Sequence, residues 1–215
     1  MPGLPLERSV PIACEGLARA LDGVFLGVPE GSAADGAVIA PPHPLYGGSM
    51  QSPVVNELAY ALQKAGIASL RFDWRGIGAS GGTPSGRAQD ADEDYAAALE
   101  HLEETLNGEL LACGYSFGAA AALRAAVGNP RVTRMLLVSP PPQLLDAAAL
   151  ARFIGRALIV TGELDAIAPP DALGVLAARA RRGHFAVLPG CDHFFGAGLA
   201  ELGREVSGWL ARGSR

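Results

Sequence analysis

Leu110-Leu111-Ala112-Cys113-Gly114-Tyr115-Ser116-Phe117-Gly118-Ala119-Ala120-Ala121-Ala122-Leu123 is the stretch on which the fold turns. Leu110 to Tyr115 reads as an apolar strand, and Phe117 to Val127 as an alanine-rich helix. Only one sharp turn separates them, and it fits the pattern Gly-x-Ser-x-Gly. A strand-to-helix turn of this kind lifts a serine hydroxyl into the open. The flanking glycines remove Cβ atoms that would collide in the turn. The helix that follows aims its unpaired N–H groups at any negative charge developing beside the serine. Gly78-Ala79-Ser80-Gly81-Gly82 matches the same pattern, but Thr83-Pro84-Ser85-Gly86 follows it and cannot continue as a helix. Ser116 alone has the context that the chemistry requires.

Outward from this turn, strand-like and helix-like segments alternate. Upstream, Leu17 to Val28 reads as a strand near the sheet edge, paired with Val10 to Cys14. Gly31 to Gly36 is a turn-rich stretch, and Ala37 to Ala40 a short buried strand ending at Pro41-Pro42. Val54 to Ala65 carries apolar residues at helical spacing and stops at Gly66, and Ile67 to Trp74 is the next strand. Asp90 to Leu106 reads as a helix with an acidic first turn. Downstream come a strand at Val132–Val138, a small flap from Ser139 to Phe153, a strand at Ala157–Thr161 and a helix at Ala172–Arg182. A final strand at Phe185–Leu188 and a helix at Leu199–Leu210 close the chain. Uninterrupted apolar strands separated by amphipathic helices predict an α/β fold: a mostly parallel sheet covered on both faces. Right-handed crossovers then bring the strand C-termini to one edge, where sites form.

The composition bounds the rest. The 215 residues suit a single domain over 1–215, with a core large enough to need no disulfide or metal. The net charge of -5 and the lack of a basic block argue against a nucleic-acid partner. The first residues lack a basic start followed by an apolar run, and Leu110–Leu123 is too short to span a bilayer. A cytoplasmic protein without a membrane partner is the expectation. Cys14, Cys113 and Cys191 are odd in number and widely spaced, which predicts buried thiols rather than a disulfide framework or zinc site. No nucleotide-binding loop or metal-ligand spacing is present, so no cofactor is expected. A homodimer through an edge strand or exposed helices is compatible with the chain, which leaves the oligomeric state open.

Two distant segments supply partners for Ser116. Of four histidines, His101 falls within a helix and His184 at the wrong end of the last strand, while His43 is the second choice of base. His193 follows that strand, in Cys191-Asp192-His193-Phe194-Phe195, and so reaches the C-terminal edge as candidate general base. The orienting acid is sought between the serine and the histidine. Asp165, in Thr161-Gly162-Glu163-Leu164-Asp165, follows its strand in a loop at that same edge and is chosen ahead of Asp146, Asp171 and Asp192, with Glu163 as fallback. An oxyanion hole would draw one backbone N–H from Phe117 and one from the loop Pro41-Pro42-His43-Pro44-Leu45-Tyr46-Gly47-Gly48. Pro42 and Pro44 have no N–H, which leaves Leu45 first and Tyr46 second. Phe117, Leu45, Phe194 and Phe195 would line an apolar acyl pocket, with His43 and Tyr46 beside it.

The Gly-Tyr-Ser-Phe-Gly turn, the His43–Gly48 loop, Arg71-Phe72-Asp73-Trp74-Arg75-Gly76-Ile77-Gly78-Ala79-Ser80, Gly162–Asp165 and Cys191–Phe195 together make the chain resemble the small, lidless bacterial α/β-hydrolases related to dienelactone hydrolases and serine esterases. The resemblance spans roughly residues 10 to 211. It implies an α/β-hydrolase fold with no large lid and a Ser-His-Asp triad. Dienelactone hydrolases proper use a cysteine where Ser116 stands, and many esterases carry glycine where Pro44 stands. The Asp73–Ser80 segment resembles the family's glycine-rich turn and reads as structural, with Arg75 bordering the cleft. The implied function is hydrolysis of small-molecule carboxylic esters with small to medium acyl groups, through an acyl-enzyme. Thioesterase, peptidase and acyltransferase chemistry would use the same triad. A non-catalytic binding protein on the same scaffold is the alternative of another class.

Overall fold

The computed structural model describes residues 7–28 and 35–212. The predicted turn over 31–36 lies mostly outside these residues. Within them the chain forms one eight-stranded sheet in the order β1-β2-β4-β3-β5-β6-β7-β8. The strands are β1 (Glu7–Ile12), β2 (Leu21–Leu26), β3 (Gly36–Ala40), β4 (Ala68–Phe72), β5 (Leu110–Tyr115), β6 (Val132–Val138), β7 (Arg156–Gly162) and β8 (Gly183–Leu188). The helices are α1 (Pro53–Lys64), α2 (Ala88–Thr105), α3 (Phe117–Gly128), α4 (Ala147–Arg152), α5 (Pro170–Ala177) and α6 (Leu199–Ala211). This is the α/β-hydrolase fold.

Burial separates the two kinds of strand. β3, β4 and β5 are buried at every position, as central strands covered on both faces must be. β2 alternates buried and half-buried residues and pairs antiparallel with both β1 and β4, whereas β3 to β8 run parallel. Alternate residues of each central strand feed opposite cores. Val38, Leu70 and Ala112 meet α2 and α3 on one face, while Ile39, Leu111 and Cys113 meet α1 and α6 on the other. Cys14, Cys113 and Cys191 are buried free thiols, and burial first of all raises the pKa of each, that of Cys14 to about 11.

The chain leaves β3 towards β4 on one side and returns as β5 on the other. The order therefore reverses between β3 and β5, where a crevice opens at the strand C-termini. In-register pairing sets Ala40 beside Gly114, so the loop after β3 and the serine turn after β5 are neighbours. Between β6 and β7 lie only a 3-10 turn (Pro142–Leu144) and α4, so no large lid forms. One helix is shorter than its sequence suggests: α5 stops at Ala177 instead of Arg182. Its last buried apolar residue is Ala177, and the Arg-rich stretch beyond turns through i→i+3 bonds such as Ala180 N–H to Ala177 O.

Candidate active site

Ser116 sits between β5 and α3 at φ 55°, ψ −119°. Few non-glycine residues adopt a positive φ, and here it turns the hydroxyl out of the sheet edge. The turn is possible only because the residues two before and two after the serine have no Cβ. At Gly114 one would collide with the backbone of Gly118, and at Gly118 one would collide with the carbonyl oxygens of Ala40 and Pro41. The decoy Ser80 is spent on structure: its hydroxyl donates to Asp73 O and accepts from Asp22 N–H, both at 2.8 Å.

His193 and Asp165 meet this serine. His193 Nε2 lies 3.0 Å from Ser116 Oγ, and His193 Nδ1 lies 2.8 and 3.0 Å from the two Asp165 carboxylate oxygens. A carboxylate accepts only, so Nδ1 carries the proton and Nε2 presents its lone pair to the hydroxyl. All three side chains are buried. Burial pushes the Asp165 carboxyl up, but opposing hydrogen bonds outweigh it and leave the group below the usual carboxylate range. Those bonds come from His193 and from Ala168 N–H at 2.7 Å. Ile167 N–H adds a contact at 2.9 Å. The other acids serve turns: Asp146 caps α4, Asp192 accepts from Phe194 N–H, and Glu163 accepts from Gly190 N–H.

The loop after β3 is held from beneath. Trp74 Nε1–H reaches the carbonyls of Pro41 and Pro42 at 3.2 and 3.0 Å, and Asp73 accepts from Met50 N–H at 2.7 Å. Burial raises the Asp73 carboxyl above its ordinary range. Tyr115 O–H donates to the carbonyl of His193 at 2.8 Å and so fixes the histidine loop. The sequence held no signal for Asp73, Trp74 or Tyr115 as supports, because each acts through a contact tens of residues away.

Phe117 N–H opens α3, where helix geometry leaves a donor without an intrahelical acceptor. Leu45 N–H is not free in the same sense: it donates to His43 Nδ1 at 3.2 Å. Tyr46 N–H donates to His43 O at 3.1 Å, so the second choice is engaged as well. The His43 ring also lies 4.6 Å from both the Tyr46 and Phe117 rings. Burial lowers its pKa, consistent with a neutral acceptor nitrogen.

A cavity of about 750 Å³ opens over Ser116 and His193. His43, Tyr46, Phe117, Leu144, Ile167 and Phe194 contribute to its walls. Three sequence expectations are corrected. Phe195 is not part of this lining: it turns inward at φ 56°, only 2 % exposed, and packs near Tyr115 in the core. Leu45 does not line it either, and its side chain is largely exposed. Arg75, expected to border the cleft, turns away and binds Asp90, Glu93 and Asp94 on α2. Among the described residues no group of three or more His, Cys, Asp or Glu side chains is placed to hold a metal. No described helix is long and apolar enough to cross a membrane.

Residues 45–158 match the family described as serine aminopeptidase, S33. The chain belongs to this hydrolase family. An uncharacterized protein of Rickettsia prowazekii is 30% identical over 185 residues, covering 81% of this chain and 77% of its own. A solved α/β serine hydrolase homologue from Coxiella burnetii superposes with a TM-score of 0.86 at 28% identity, covering 94% of this chain and 97% of that one. A serine hydrolase without lid from Xanthomonas campestris gives a TM-score of 0.78 at 26% identity, covering 99% and 97% of the two chains.

Proposed function

We propose that this hydrolase cleaves uncharged carboxylic esters of small to medium acyl groups through a Ser116 acyl-enzyme. The observation that carries the reading is the unbroken hydrogen-bond series Asp165–His193–Ser116 opening into an apolar cavity. His193 Nε2 takes the Ser116 proton as Oγ attacks the ester carbonyl, and the imidazolium forms against the Asp165 carboxylate. The Phe117 N–H meets the oxyanion, joined by a second N–H from the loop after β3, whose shape the Leu45 N–H to His43 bond sets. His193 then protonates the departing alkoxide. A water, deprotonated by the same nitrogen, releases the acid and restores the serine.

Charge narrows the substrate. Among the described residues no Asp, Glu, Lys or Arg lines the cavity. An aminopeptidase must pair the substrate's α-ammonium, and an acyl-CoA brings phosphates that ask for cations. Neither finds an opposite charge here, so a neutral ester fits best. The test pairs a fluorophosphonate probe with p-nitrophenyl esters and aminoacyl anilides. Wild type should take the label and turn over the short esters in preference to the anilides, and Ser116→Ala should do neither. Label that persists in Ser116→Ala, or a wild type inert towards probe and esters alike, overturns the proposal.

A further inference from the structure

The opposite edge of the sheet carries a feature that ester hydrolysis does not use. Arg134 lies near the start of β6 and pairs in register with Arg156, the first residue of β7. Ala157 pairs with Gly183, which sets Arg182, just before β8, beside Arg156. Three arginines thus stand side by side at the starts of three adjacent parallel strands, about 5 Å apart at the backbone. Like charges side by side on a sheet repel, and a fold keeps such a row only where something offsets it.

The offset within the chain is partial. Arg134 Nη2 meets Asp35 at 2.7 Å, but its Nε is buried with no partner among the described residues. Arg156 donates to the carbonyl of Trp209 at 2.9 Å and lies over that ring, 4.8 Å from its centre, and neither contact neutralises it. Among the described residues neither Arg156 nor Arg182 has a carboxylate at ion-pair distance. The row borders a groove of about 840 Å³ whose walls, among the described residues, carry Arg134, Arg156, Arg182 and Arg152, the last paired with Asp146 at 3.8 Å, against Asp35 and Glu109. Glu109 already accepts from the Thr133 hydroxyl at 2.8 Å. This excess of positive charge sits on a chain of net charge -5.

We infer that this groove is a binding site for a multiply charged phosphate-bearing anion, held by Arg134, Arg156 and Arg182 on the edge remote from Ser116. Guanidiniums present paired donors that match phosphate oxygens, and a dianion relieves the repulsion of a row as a single carboxylate does not. Burial lowers the pKa of Arg156, and the charges of Arg134, Arg182 and Arg212 lower it further, which is the same repulsion seen from one group. Two sources share this chemistry: a free phosphate compound or a phospholipid headgroup.

The experiment titrates the full chain at constant ionic strength with pyrophosphate, and separately with phosphatidic acid vesicles beside phosphatidylcholine vesicles. Calorimetry and co-sedimentation read the two arms. Saturable pyrophosphate binding that weakens about tenfold or more in Arg182→Gln supports the site and a free ligand. Binding confined to phosphatidic acid vesicles, with the same Arg182 dependence, supports the site and a headgroup. Arg182 is exposed, so its variant should fold, and a matching thermal midpoint checks this. Ser116→Ala should bind as wild type does, which keeps this result separate from the ester reading. Absence of binding in both arms, or binding indifferent to Arg182→Gln, overturns the inference.

Discussion

Asp165 shows how one side chain is made to serve. Burial opposes its charge, and donors from His193 and Ala168 restore it, leaving its pKa below the ordinary range. Such a group stabilises the fold above about pH 4, and that contribution is lost as pH falls from there through the lower folded value. Asp165→Asn removes the term. Its urea midpoint should therefore fall less than that of wild type between about pH 4 and pH 2.5. At neutral pH the same variant should lose about 10⁴ in kcat, because an amide no longer fixes the tautomer that leaves Nε2 free. Full ester turnover by a folded Asp165→Asn would remove Asp165 from the site. His43 poses a subtler case, since its Nδ1 holds the Leu45 N–H while its ring rests on Phe117. His43→Ala should lower kcat by about tenfold or more through a misplaced oxyanion loop, with KM little changed. Asn can accept from the N–H two residues on. His43→Asn should recover most of the rate, and equal losses in the two variants would mean that the hydrogen bond is not what matters.

At the scale of elements, much was legible because period and punctuation agree. Leu110–Tyr115 and Val132–Val138 stand where their apolar runs place them, and α3 begins at Phe117 as the glycine turn requires. α5 was not legible in the same way, because alanines and arginines carry high helix propensity past the point where burial ends. Phe195 failed for a related reason: the sequence shows an aromatic pair, but only the positive φ at the second residue decides that Phe194 faces the cavity and Phe195 the core. Leu45 illustrates a third limit, since a donor can be located from sequence but its existing acceptor cannot. The helix behind the serine gives an element-scale test. α3 approaches the end of β3 so closely that a methyl at Gly118 would strike the carbonyls of Ala40 and Pro41. Gly118→Ala should cost about 1–3 kcal/mol in urea unfolding and reduce kcat by displacing Ser116. Gly128→Ala, at the far end of the same helix with open space around it, should cost nothing comparable.

For the whole molecule, the question is whether the two cores stand or fall together. One sheet feeds both, since neighbouring residues of each central strand point to opposite faces. Neither core can lose its packing without baring one side of strands whose other side is buried. We therefore expect a single domain that unfolds in one cooperative step. The two tryptophans are placed to test this, because Trp74 belongs to the core beneath α2 and α3 and Trp209 to the core beneath α1 and α6. Trp74→Phe leaves only the second reporter, and Trp209→Phe only the first. Each substitution shifts the overall midpoint, Trp74→Phe by giving up the donor to the Pro41 and Pro42 carbonyls. The comparison is therefore made within each variant, between tryptophan fluorescence and far-ultraviolet circular dichroism. Coincident urea curves in both variants are the expected result. A fluorescence transition that precedes the loss of secondary structure in one variant alone would show that its face loosens by itself, and that the sheet does not bind the two cores into one unit.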